Sequence, residues 1–566
     1  MTTPGETTEP DAPRPRNDSG GGDSNRAAWL VSAGILLSRL AGLVRERVIA
    51  SYLGVGPAVD AFRAALRIPN LLQNLLGEGV LSASFIPVYS RLLGEGKDEE
   101  AGRVAGAVAG LLAAVAGVLV VVGVVFARPL TLLLAPGFSG DRLDLTVTLM
   151  QILTPGVGAL VLSAWCLGVL NSHRRFFLSY VAPVLWNVVQ IGVVVAAAIA
   201  GAGDRDLAVA LAWGALAGGV AQFAVQVPGV LAVTGGVRPT LDVGLAGVRE
   251  TVRRFVPVLA GRGVVQVLAY VDLLLASLLA TGAVAVLGFA QIFYLLPISL
   301  FGMSVAAAEL PELSRLGPDH DPAAVRRRLE VGLGRIAFYV APVAVAYVAI
   351  GDLIVGVLLG TGEFGAAETR LVWMVLGAYS LGLVATTATR LLQNAAFARG
   401  DVKGPAAIAA VRVVLAAGIG ALLMFPLDRV GVSASGLIGL DSMPVVAGPL
   451  ASAVRESPDA LRLGAAGLAL GAGLTTWLEA GLLRRRLGAI GRGLRLGGPN
   501  RVAIAAGGLA AGLVAATLRL SVLHLPNIAA LLIAGLPAAG VYLAITWRLG
   551  HPEAAALLAR LRRSRV

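Results

Sequence analysis

The chain has 566 residues, 57% hydrophobic and only 14% charged, with a net charge of +12 and a mean hydropathy of +0.80. Soluble domains carry about 25% charged residues, so a water-soluble enzyme is excluded and an all-α polytopic membrane protein is expected. The basic excess sits in short loops between apolar runs, which marks membrane topology rather than a nucleic-acid partner; the lone Cys166 excludes an intrachain disulfide, and the four histidines lack metal-ligand spacing.

Residues 1–27, rich in Pro, Gly, Thr, Asp and Arg, are expected to form a disordered cytoplasmic tail. They contain no short apolar core with a cleavage site, so no cleaved signal peptide is expected. Fourteen apolar stretches follow, each long enough to cross a bilayer as a helix. They run roughly over 28–55, 64–92, 104–127, 145–170, 177–201, 207–232, 255–280, 284–312, 331–360, 371–397, 405–425, 461–483, 501–522 and 527–547. Even-numbered loops are basic, with Arg91, Lys97 and Arg103 in the first and Arg326, Arg327 and Arg328 in the fourth. Odd-numbered loops carry few cations, such as Arg142 and Arg205. Both termini are therefore expected in the cytoplasm.

The second span closes with Pro87-Val88-Tyr89-Ser90-Arg91-Leu92 and the eighth with Pro311-Glu312-Leu313-Ser314-Arg315-Leu316. Ends of the fourth and tenth spans match similarly. The even offset implies a parallel repeat of two six-helix lobes around a central cavity. The expected division is a first lobe at 28–232, a cytoplasmic linker at 233–254 and a second lobe at 255–483. That lobe includes a long external loop at 427–460, which is semi-apolar and suited to short interfacial helices. A C-terminal helix pair at 501–547 precedes a basic tail at 548–566, read as a solvated end or a short amphipathic helix on the membrane surface.

The first span carries Arg39, Arg45, Glu46 and Arg47. A charge at a helix centre costs about 2.5–3.5 kcal/mol on insertion scales, so a helix that only anchors would not retain them. Arg39 and Arg45 lie too deep to reach headgroups cheaply and are expected to face a wet, cationic cavity suited to an anionic passenger. Arg39 and Glu46, seven apart, share a face. Asp60, Arg63 and Arg67 open the second span on one helix side. Pro69-Asn70, then Glu78-Gly79 and Pro87, follow as breaks and polar positions. Gly42, Pro69 and Pro87 are the expected hinges. The second lobe holds Arg262, Asp272, Arg390, Arg412 and Glu479. Asp272 and Arg412, otherwise orphaned in the membrane, are expected to pair. No phosphate-binding Gly-rich loop, metal cluster or nucleophilic triad is present, so the chain reads as a transporter and not an enzyme.

Ser38-Arg39-Leu40-Ala41-Gly42-Leu43-Val44-Arg45-Glu46, Asp60-Ala61-Phe62, Arg67-Ile68-Pro69-Asn70, Glu78-Gly79 and Phe85-Ile86-Pro87-Val88 together closely resemble the opening of the MurJ/MviN family. These are lipid II flippases of the MOP exporter superfamily. The resemblance covers about 28–425, with echoes at Pro183 and Asn187. It implies two lobes around a cavity, a helix pair forming a lipid-facing groove, and alternating access that moves lipid II, the undecaprenyl-pyrophosphate-linked peptidoglycan precursor, across the bacterial cytoplasmic membrane.

The family's central arginines fall on Arg39 and Arg45, its neighbouring acid on Glu46, its loop aspartate on Asp60, and an ion-site acid of some members on Asp272. Arg67, Asn70, Glu78 and Arg262 complete the expected substrate-binding set. Two departures stand out, since Gln73 and Ile292 occupy places where the family often has arginine; Arg262 or Arg67 are candidates to supply the charge. Arg412 stands where polar companions of a sodium site would be, which counts against Na+ coupling, and no cofactor or metal is expected. Expected partners are lipid II and membrane lipids and, more remotely, other cell-wall synthesis proteins. The alternatives are a flippase for another polyprenyl-linked glycan, a cationic-drug antiporter and a non-transporting membrane scaffold.

Overall fold

The computed structural model describes residues 21–563 except 269, 317–320, 458–460 and 523; side chains of 21–32, 260–268 and a few positions near 307–316, 561 and 563 are also left aside. The expected disordered tail thus falls outside the described residues up to 20. From Gly21 the chain is already helical, seven residues before the expected start of the first span.

The first lobe contains α1 (Gly21–Leu53), α2 (Pro57–Ala65), α3 (Arg67–Leu76), α4 (Glu78–Gly94), α5 (Asp98–Val125), α6 (Ala127–Leu134), α7 (Gly140–Ser172), α8 (Phe176–Ile199) and α9 (Asp204–Thr234). The second contains α10 (Ala246–Leu268), α11 (Val271–Ser277), α12 (Ala283–Pro297), α13 (Met303–Leu316), α14 (Pro322–Leu359), α15 (Ala366–Ser380), α16 (Leu383–Ala398), α17 (Lys403–Leu427), α18 (Ser452–Arg455) and α19 (Gly464–Arg486). The pair α20 (Arg501–Ser521) and α21 (Asn527–Arg548) follows, and α22 (Pro552–Arg563) closes the chain.

Each stretch expected to span is helical over most of its described residues. Among the described residues, 11 helices are long and apolar enough to cross a membrane, or 12 when α15 and α16, bent by 43°, are taken as one span. The first and seventh expected spans are not among these, and parts of their helices lie outside the described side chains.

Small residues set the helix spacing, as in membrane packing generally. A Cβ on Gly471 of α19 would lie 2.7 Å from the Gly420 backbone nitrogen of α17, so these helices touch through their main chains. In the first lobe α8 packs on α9 and on α1, and α7 lies against α5 and α9. The seventh span is divided between the lobes: α10 packs on α3, α4 and α5, whereas α11 packs on α17 and α19. The Arg91–Glu250 ion pair, 2.6 Å, ties α4 to α10. The pair α20–α21 packs on α14. An apolar cavity of about 420 Å³ lies between α14, α16 and α20, lined by Ala337, Val345, Val384, Ala388 and Ile504. The tail helix α22 is fastened by its first turn, where Glu553 pairs with Arg335 at 2.8 Å and His551 stacks on Phe338 at 4.6 Å.

The loop at 427–460 holds a hairpin, β1 (Gly431–Val432) antiparallel to β2 (Leu437–Ile438), and the single turn of α18. It is fastened to both lobes. Asp428 accepts from Ala280 N at 3.1 Å, and the Arg455 carbonyl accepts from Thr281 N at 2.9 Å, both in the turn before α12. Glu456 accepts from Ser139 Oγ, immediately before α7.

Candidate functional site

Glu46 is the hub of the charged constellation. It is buried, with 7% of its surface exposed, and its two oxygens are shared between Arg45 Nη2 at 2.6 Å and Arg63 Nη2 at 2.7 Å. Successive helix residues point about 100° apart, but the long Arg45 side chain bends back to its neighbour. Arg45 Nη1 also donates to Asn187 Oδ1 of α8 at 3.2 Å, with its guanidinium 4.8 Å from the Trp186 ring centroid. Arg63 stacks at 4.4 Å on Phe289 of α12, in the second lobe. That stacking needs Gly288, because a Cβ there would come within 2.6 Å of the Arg63 side chain. One carboxylate between two cations leaves a net positive charge held by packing on both lobes.

Arg39 lies two turns before Glu46 and is exposed. It does not join the Glu46 cluster; its Nη1 donates to Ser299 Oγ across the lobe boundary at 2.6 Å. Ser299 sits on a π-helical turn, Ile298–Gly302, directly after Pro297. Such turns occur often at functional sites, and sequence patterning did not single this one out. Arg47 donates to the Val357 and Leu358 carbonyls at the end of α14, a favourable place for a cation.

Asp60 occupies a different place from the one expected of a substrate ligand. It is fully buried, and its oxygens accept from Gly282 N and Ala285 N of the first turn of α12, both at 2.7 Å, and from Arg142 Nη1 at 3.3 Å. A carboxylate at a helix N-terminus is favoured by the free amides and the helix dipole. Asp60 thus latches the first lobe to the second instead of facing a passenger. Arg142, read from sequence as a loop cation, is its buried partner.

The expected Asp272–Arg412 pair does not form. Arg412 instead forms an ion pair with Glu479, Nε to Oε2 3.1 Å, because α17 packs along α19, which carries Glu479. Asp272 has Arg67 and, after it, Arg412 as its neighbouring cations. Tyr270 donates its hydroxyl to the Arg67 carbonyl at 3.0 Å. Asn70 is exposed on α3, and the Arg262 side chain lies outside the described residues.

The expected hinges shift as well. Gly42 and Pro87 lie within unbroken helices. The second span breaks at Leu66 and at Gly77. Pro69 sits in the first turn of α3, where a missing N–H costs little.

A second cavity, also about 420 Å³, lies inside the first lobe between α3, α4, α7, α8 and α9. Gln73 and Glu78 line it, with Ser38, Ser163, Ser179, Asn187, Gln222 and Gln226.

A family model described as "Lipid II flippase MurJ" matches residues 49–447. That span starts after Arg39 and Arg45, so their placement rests on the geometry above. The probable lipid II flippase MurJ of Rhizobium tropici is 33% identical over 408 residues, 70% of this chain and 74% of its own length. The lipid II flippase MurJ of Burkholderia cenocepacia is 33% identical over 391 residues, 68% and 75% of the two chains. Among solved structures, lipid II flippase MurJ in an inward closed conformation aligns with a TM-score of 0.69 at 21% identity, covering 91% of this chain and 98% of that one. An inward-facing MATE multidrug transporter of the MOP superfamily aligns at 0.57 and 17% identity, covering 82% and 99%. The last two share the fold, and with the sequence matches they give one conclusion: the chain belongs to the MurJ lipid II flippase family.

Proposed function

We propose that this chain moves lipid II from the inner to the outer leaflet of the bacterial cytoplasmic membrane by alternating access, with both termini in the cytoplasm. The observation that carries this reading is Arg39 reaching across the lobe boundary to Ser299, two turns from the Arg45–Glu46–Arg63 cluster. An incoming pyrophosphate replaces the neutral Ser299 hydroxyl on Arg39 with a charged acceptor, and charge-assisted bonds to a guanidinium are the stronger ones. Glu46 holds Arg45 and Arg63 in place before the passenger arrives and limits their mutual repulsion. The polyprenyl tail stays in lipid, against the apolar cavity between α14, α16 and α20. Rocking of the lobes then parts Asp60 from the first turn of α12.

The test is complementation of a flippase-depleted bacterium, with labelled lipid II followed across the membrane. Arg39→Ala and Arg45→Ala should each abolish translocation while the protein remains in the membrane; full translocation by either variant removes the role assigned to these cations. A flippase for another polyprenyl-linked glycan is the second reading, favoured by Gln73 lining the first-lobe cavity where many relatives carry arginine. The same assay, run with that glycolipid, separates the two.

A further inference from the structure

We propose that the cavity inside the first lobe receives the uncharged sugar portion of the head group, apart from the cations that hold the phosphates. This rests on the reading of the chain as a lipid II flippase. The lining contains no lysine or arginine, and its single charge is the Glu78 carboxylate. Such a lining offers a phosphate no lysine or arginine of its own. The remaining polar lining is carboxamide and hydroxyl. Gln222 Nε2 at 2.9 Å and Gln226 Nε2 at 3.0 Å both donate to Ser163 Oγ. That arrangement leaves Gln226 Oε1 buried without a partner, as is the Ser179 hydroxyl, which can both donate and accept. Gln226 is 1% exposed and Ser179 0%. Unpartnered buried carbonyl and hydroxyl groups call for a neutral ligand that both donates and accepts, which describes the hydroxyls and N-acetyl groups of an amino sugar.

Position supports the same assignment. Ser38 lines the cavity one residue before Arg39, and Asn187 lines it while accepting from Arg45. A pyrophosphate on these arginines therefore sets its first sugar at the cavity mouth. The volume, about 420 Å³, is in the lower part of the range for small-molecule sites and suits about one or two sugar rings rather than the entire head group with its peptide.

The experiment compares two probes on the purified full chain in proteoliposomes: lipid II, and undecaprenyl pyrophosphate, which lacks sugars. Gln226→Met removes the orphan acceptor at similar size, and Ala164→Leu fills the cavity without removing a polar group. Each variant should weaken lipid II binding about tenfold and slow its transport, with undecaprenyl pyrophosphate binding altered by less than about twofold. Retained binding of the sugar-free lipid is also the check that each variant is folded. Variants that weaken both probes alike, or neither, overturn the sugar site and leave the flippase reading intact. Failure of the unaltered protein to bind or move lipid II overturns both.

Discussion

Glu46 shows how a single acid governs the chemistry of this helix. Two guanidinium groups converge on it in a largely buried setting. Breaking a buried ion pair by removing one partner typically costs about 3–5 kcal/mol, because the other charge is left uncompensated. Glu46→Gln should therefore lower the melting temperature of the purified protein clearly and release Arg45 and Arg63 from their shared position; an unchanged melting curve would show that the pair is not structural. Arg39 and Arg45 were legible in the sequence because a charge in a membrane helix demands a reason. The role of Asp60 was not, since its partners include the backbone amides of Gly282 and Ala285, which have no sequence signature. The Asp272–Arg412 pairing failed for a related reason: which helices lie side by side is a tertiary fact, and α17 lies on α19.

At the scale of elements, helical spans could be read from hydropathy, but their interruptions could not. Pro69 drew attention to the second span, yet the chain breaks at Leu66, whose backbone stays helical, and at Gly77, whose backbone is extended. The seventh span reads as continuous, although α10 packs on helices of the first lobe and α11 on α17 and α19 of the second. The hairpin-bearing loop gives a pH expectation. Burial pushes the Asp428 carboxyl up from its ordinary 3.8 to about 6, against the lowering pull of the Ala280 N–H and of Arg462, Arg429 and Arg455. The folded chain thus holds this proton more tightly than the unfolded one. Its contribution to stability is fully present below about pH 4 and is lost as pH rises through about 6. Thermal melting followed from pH 4 to 7 should reveal this component, and Asp428→Asn should flatten it.

For the whole molecule, the broad architecture was legible because lipid allows few alternatives: a chain that satisfies its own backbone in a bilayer must be helical or a closed barrel. The expectation of a parallel repeat rested on two short motifs at a common offset. The way the halves join was hidden, because that junction is made by residues far apart in sequence, such as Asp60 with Gly282 and Arg39 with Ser299.

The loop between α17 and α19 reaches Ser139 on one side and Thr281 on the other. Any motion that separates those two points has to tear the bridge on one side or drag the flap along. The loop consequently acts as a tether that penalises the opened form in proportion to how tightly its free edge grips. Glu456→Ala, which loosens that edge at Ser139, should shift the resting population toward the opened form, read as faster labelling of a cysteine placed at Thr281. Labelling no faster than in the otherwise unaltered protein would mean that the flap merely rides on one half.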